Sequence, residues 1–170
     1  MPAETDSTPK RLLKTLARIE DGILALLLSV MICLALLQIF LRNFFQYGLP
    51  DGDHLLRILV LWVALFGAIV ASRERKNISI DILSRYLNAR ARTMAGVVVD
   101  LFVVLVAALF AYHSGRLVMD EYTLGTLVLG GVPSWLVQLI IPFAFTVITF
   151  RYLTFSLMHV RELRRGSQQG

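Results

Sequence analysis

Between Asp21 and Arg42 the chain runs through twenty residues without a charge, Gly22 to Leu41. At about 1.5 Å per residue such a helix is about 30 Å long, the thickness of the hydrocarbon layer of a bilayer. Lys10, Arg11, Lys14 and Arg18 ahead of it would suit the basic region of a signal peptide. The apolar stretch is too long for one, and it ends in Arg42-Asn43-Phe44-Phe45 rather than at small residues fit for cleavage. It reads as a retained transmembrane helix over 22–41.

Three further apolar runs follow, over about 55–72, 94–115 and 133–155. Pro133 is placed to start the last and Pro142 to bend it. Of the 170 residues 56% are hydrophobic and 17% charged, whereas soluble domains carry about 25% charged residues. A water-soluble fold of this size would leave large apolar patches exposed. The sequence therefore predicts an all-α integral membrane bundle of four transmembrane helices. Its parts are a basic arm over 1–20, a membrane domain over 21–157 and a tail over 158–170.

The net charge of +5 does not indicate nucleic acid, because the basic residues sit between apolar runs instead of along one face. They indicate topology. The arm holds four (Lys10, Arg11, Lys14, Arg18) and the loop after the second run six (Arg73, Arg75, Lys76, Arg85, Arg90, Arg92). The tail holds four more (Arg151, Arg161, Arg164, Arg165), against Arg42, Arg57 and Arg116 on the other side. A split of 14 to 3 puts the larger set, and with four crossings both termini, in the cytoplasm. Leu83, Tyr86, Leu87 and Met94 recur at helical spacing opposite Ser84, Arg85, Asn88 and Arg92, with Asp81 as a cap. That pattern predicts a short amphipathic helix over 81–92 in the cytoplasmic interface.

Little chemistry is visible. His54, His113 and His159 all fall near helix ends, where they do not make the paired mid-membrane ligands of a haem-binding bundle. Cys33 is the only cysteine; it excludes an intrachain disulfide and reads as a small buried hydrophobe. No nucleophile–base pair, phosphate loop or metal cluster stands out, so neither catalysis nor a cofactor is expected. Asp100, inside the third run, is an ionisable group at membrane depth; an ion pair with Arg73 or Arg75 is the expected role. Asp53 with Arg57, and Arg116 with Asp120, have the spacing of helical ion pairs. Trp135 suits an interfacial belt, and Trp62 packing against another helix. The first run holds no acid, only Gln38, so a self-sufficient proton-coupled transporter lacks the carboxylate it needs. A subunit of something larger is the better reading.

The order of residues Phe40-Leu41-Arg42-Asn43-Phe44-Phe45, Leu55-Leu56-Arg57, Trp62-Val63-Ala64-Leu65-Phe66-Gly67-Ala68 and Arg73-Glu74-Arg75-Lys76-Asn77-Ile78-Ser79-Ile80-Asp81 resembles the DctQ-type small membrane subunit of tripartite ATP-independent periplasmic (TRAP) transporters. Gly130-Gly131-Val132-Pro133-Ser134-Trp135 and Ile141-Pro142-Phe143 look like that family too. The resemblance covers residues 15–157. Before the second helix the family often carries a tryptophan followed by acids, where this chain reads Pro50-Asp51-Gly52-Asp53-His54, with Asp53 standing in for the acid.

The resemblance implies a non-catalytic subunit in a bacterial inner membrane. Its partners would be a large, DctM-type membrane subunit and a periplasmic substrate-binding protein, in sodium-driven uptake of an organic acid or similar solute. Arg42, Asp53, Arg57, Trp62, Arg73, Asp81 and Asp100 are candidates for subunit contacts or structural ion pairs. The outer loops, about 43–54 and 121–132 with Asp51, Asp53, Asp120 and Glu121, are candidates for docking the binding protein. Rival readings are a membrane anchor of a redox complex, or a small four-helix transporter working alone.

Overall fold

The computed structural model describes residues 8–46, 48–49, 51–74 and 89–166. They form α1 (Thr8–Phe44), α2 (Gly52–Glu74), α3 (Ala89–Leu124), strands β1 (Leu127–Val128) and β2 (Val132–Pro133), a short α4 (Ser134–Gln138) and α5 (Ile140–Gly166). Four stretches are long and apolar enough to cross a membrane: Lys14–Phe44, Gly52–Arg73, Thr93–Leu124 and Ser134–His159. The chain is a multi-pass, mainly helical membrane protein. Most of the interfacial helix expected over 81–92 lies outside the described residues, as do Asp81 and Arg75; from Ala89 onward the backbone already belongs to α3.

The long helices overrun their apolar cores. α1 has 37 residues and α3 has 36, about 55 Å each, against about 30 Å of hydrocarbon. A charged residue ends an apolar run without ending a helix, because Lys, Arg and Glu are good helix formers. Hence the helices extend beyond the boundaries that hydropathy suggests. α2 keeps to its apolar run more closely and is dressed for its dipole, with Asp53 in the first turn and Arg73 in the last.

The fold divides into two compact units, residues 1–70 and 71–170. In the first, the α1–α2 connection turns through left-handed residues Gln46 (φ 50°) and Asp51 (φ 61°), and Leu55 N–H donates to the Asp51 carbonyl to open α2. The apolar core of α1 has no buried residue. Cys33, expected to be buried, is exposed on it, as is most of the apolar run it belongs to.

In the second unit α3 and α5 run antiparallel and make the most extensive helix–helix contact among the described residues. Ala107 and Ala144 are buried, Ala144 fully; small side chains let membrane helices approach closely. Phe110 and Phe145 stack with ring centres 5.0 Å apart. The fourth apolar run is one helical path interrupted at Leu139, where Leu139 N–H still donates to the Trp135 carbonyl and Phe143 N–H to that of Leu139. Pro142 has no N–H for the carbonyl of Gln138, and its ring crowds that carbonyl. The helix therefore ends at Gln138 and restarts at Ile140, with Leu139 still in helical dihedrals (φ −60°, ψ −22°). Pro142 then occupies the first turn of α5, where a missing N–H costs nothing.

Ahead of α4, β1 and β2 pair Leu127 with Pro133 and Val128 with Val132. The connection Leu129-Gly130-Gly131 lies wholly at positive φ (52°, 68° and 147°). Glycine reaches such angles freely, and the two glycines are what make this reversal affordable. Gly131 N–H donates to the Val128 carbonyl and Ser134 N–H to that of Thr126. The segment expected as an open loop over 121–132 is therefore the last turn of α3 followed by a hairpin.

Candidate functional site: polar contacts among the apolar helices

In a chain this apolar, function is sought where polar side chains meet, because each must be satisfied away from water. In the first unit Gln38, the one polar side chain noted in the first apolar run, donates from Nε2 to Asp53 Oδ1 at 2.7 Å. Gly52 leaves room for it: a Cβ there would lie 3.0 Å from Gln38 Nε2. Gln38 Oε1 is buried without a partner. Sequence spacing suggested Arg57 for Asp53; the contact found comes from the preceding helix instead. Arg42 and Arg57 are exposed, as are Asp51 and His54, and Trp62 is half-buried.

In the second unit Asp100 is 3% exposed, so its carboxylate needs company. His159 Nδ1 lies 2.9 Å from Asp100 Oδ2, a partner that sequence reading did not name. Gly96 lies under the His159 ring, where a Cβ would touch it at 3.4 Å. Arg151 donates from Nη1 to Ser72 Oγ at 3.1 Å, joining α5 to the end of α2. Ser72 and Ser156 are buried and Arg73 is half-buried.

A third cluster closes the opposite end of α3. Thr126 Oγ1 donates to Glu121 Oε1, and the nearby Ser134 hydroxyl also favours that carboxylate. Ser134 in turn accepts from Gln138 Nε2 at 3.0 Å. Tyr122 and Trp135 meet edge to face with centres 5.6 Å apart. Glu121 thus works as a latch for the hairpin, while Asp120 is exposed and carries the Thr123 hydroxyl on its backbone carbonyl.

These groups make pairs and short chains. Among the described residues no three His, Cys, Asp or Glu side chains come together as metal ligands. One open depression lies on α1 alone, lined by Cys33, Leu36, Leu37, Phe40, Asn43 and Phe44. It is almost wholly apolar, which suits packing rather than capture of a charged solute.

The sequence family described as "Tripartite ATP-independent periplasmic transporters, DctQ component" matches residues 7–162. This chain belongs to the DctQ family. A Haemophilus influenzae protein described as a TRAP transporter small permease protein is 25% identical over 113 residues, covering 66% of this chain and 68% of that one. As a DctQ protein the chain is a transporter component. Among the described residues, the segments that carried the resemblance fall on α1, α2 and the hairpin–α4–α5 region, with 75–81 outside them, and the match spans all four membrane helices.

Proposed function

We propose that the chain is the small scaffold subunit of a sodium-gradient-driven TRAP transporter that takes up an organic acid or similar small solute. It binds and steadies a large DctM-type subunit, which carries the solute and ion sites, and it serves a periplasmic substrate-binding protein. The subunit lies in a bacterial inner membrane with both termini in the cytoplasm, the orientation favoured by the 14-to-3 split of basic residues. Its parts are the basic arm over 1–20, the membrane domain over 21–157 and the tail over 158–170.

The observation that carries this reading is the state of its polar groups within a DctQ chain. Asp53, Asp100, Glu121, Arg151 and Ser134 are engaged by neighbouring side chains, which supports a structural role for each. A transport site needs polar groups converging on a shared space. An apolar α1 with no buried residue in its core supports a helix meant to be covered by another subunit. A large carrier that moves solute across the bilayer needs a wall that resists tilt, and added helix surface supplies it. The test is reconstitution. The chain alone in vesicles should give no solute uptake under a sodium gradient, and uptake should appear once the large subunit and binding protein are added. Uptake by the chain alone would overturn the scaffold reading.

A further inference from the structure

From Tyr122 to Phe150 the sequence carries no Asp, Glu, Lys or Arg, although this stretch holds the hairpin as well as helix. A connection between two membrane spans that faced water would ordinarily be polar. Here the exposed side chains are Leu124 (72% exposed), Leu127 (66%), Val132, Leu136 and Leu139. The polar side chains present meet one another: Thr126 donates to Glu121 and Gln138 to Ser134. The backbone of the turn is paired through Gly131 and Ser134. Such a hairpin satisfies part of its own hydrogen-bonding potential, which lowers the cost of non-helical backbone at the edge of lipid.

Depth can be read from contacts that bridge α3 with α4 and α5. Asp100–His159 marks one end and Tyr122–Trp135 the other. Along α3 they are about 33 Å apart, and about 36 Å along α4 and α5. Arg151, bound to Ser72, lies nearer, about 24 Å of helix from Trp135. The hydrocarbon layer, about 30 Å thick, falls between these values. Whichever polar contact marks the far boundary, the Tyr122–Trp135 pair falls at the near one, the level where Trp and Tyr gather in membrane proteins.

We infer that the Gly125–Leu139 hairpin and short helix are an interfacial anchor, seated with Leu127 and Val132 in the leaflet at that end of α3. The occupant of this surface is lipid, where the acyl chains meet the headgroups. The argument rests on charge, exposure and continuity with the spans Thr93–Leu124 and Ser134–His159, and it is independent of which solute the transporter carries. It also divides the expected docking surface. The segment 43–54 keeps its exposed Asp51 for a soluble partner, whereas 125–132 is turned to the bilayer.

The test places single nitroxide labels at Leu127→Cys and Val132→Cys, with Gly48→Cys as the control, all on Cys33→Ser. Gly48 is open, with nothing within 4 Å of an added Cβ. The full chain is reconstituted in phosphatidylethanolamine–phosphatidylglycerol vesicles, and collisions with oxygen are compared with those of a water-soluble nickel chelate. Oxygen collisions should exceed nickel collisions several-fold at 127 and 132, with the order reversed at 48. Ratios at 127 and 132 equal to that at 48 would overturn the anchor. So would labels that are water-accessible in vesicles and become shielded only when the large subunit or the binding protein is added, because the surface would then be a protein contact. A second measurement needs no label. In a Trp62→Phe chain, Trp135 emission should be quenched by lipids brominated near the acyl carbonyl end, and unquenched emission rejects the proposal.

Discussion

The α3–α5 pair and α1 are built from similar apolar residues, yet among the described residues only the pair buries any of its own. α3 and α5 bury two alanines, stack Phe110 on Phe145 and join a buried Asp100 to His159. α1 leaves Leu26 65%, Leu36 62% and Ile39 65% exposed, and Gln38 near its end is tied to Asp53 of α2. In lipid an exposed leucine carries no hydrophobic penalty, so apolar composition alone does not pull helices together. What separates the two regions is small residues and matched polar pairs.

The sharpest way to break this comparison is to add volume on both sides of it. Ala144→Leu should overpack the α3–α5 contact and cost about 1–3 kcal/mol, read as a drop in detergent melting temperature. Ala25→Leu on exposed α1 should stay within about 0.5 kcal/mol, as for other changes away from packed sites. Equal losses would mean that α1 is as tightly packed as α5.

Next in size is the buried pair. Asp100→Asn and His159→Phe, alone and together, should show a coupling of about 0.5–3 kcal/mol in a double-mutant cycle of unfolding. Simple additivity would reduce the 2.9 Å contact to a coincidence of neighbours.

On the α1 side the effect should move from folding to assembly. Leu36→Gln with Ile39→Gln is expected to leave the melting of the lone chain nearly unchanged and to lower recovery of the large subunit in co-purification several-fold. Undiminished recovery would assign that face to lipid.

The smallest effect belongs to the outer acids. Asp51→Asn with Asp120→Asn should slow uptake at limiting binding protein by no more than about fivefold, because exposed charge pairs are worth about 0–1 kcal/mol. The difference should vanish in high salt. Asp53 is left intact in this test, since it holds Gln38 and its loss would disturb the α1–α2 connection as well.

The spans were legible because apolar runs between charges are a strong signal, and the four helices fall where those runs are. Their ends were not, since helix continues through Lys14 at one end of a run and through Arg116 and Asp120 at another. Pro142 announced a disturbance in the last run, but a proline alone does not say whether a helix bends or divides; the break is at Leu139. The hairpin was written in Gly130-Gly131 between Val128 and Val132, a turn signal that an apolar context obscured. Asp100 was singled out, whereas His159 is 59 residues away, and no local spacing reveals such a partner. Glu121 was grouped with the exposed acids by its position next to Asp120; only the folded hairpin brings Thr126 and Ser134 onto it.

The hydroxyls along the helices carry one more consequence. Ser29 donates to the Ala25 carbonyl, Ser114 to Phe110, Thr146 to Pro142 and Thr149 to Phe145, each turned back on its own helix. A hydroxyl occupied in this way has no proton left to donate outward, so it adds less polarity to the helix surface than a free one would. In the proposed scaffold role a weakly polar surface would matter, since a leak beside an ion-driven carrier would drain the gradient that powers it. These four side chains each satisfy their donor inside their own helix.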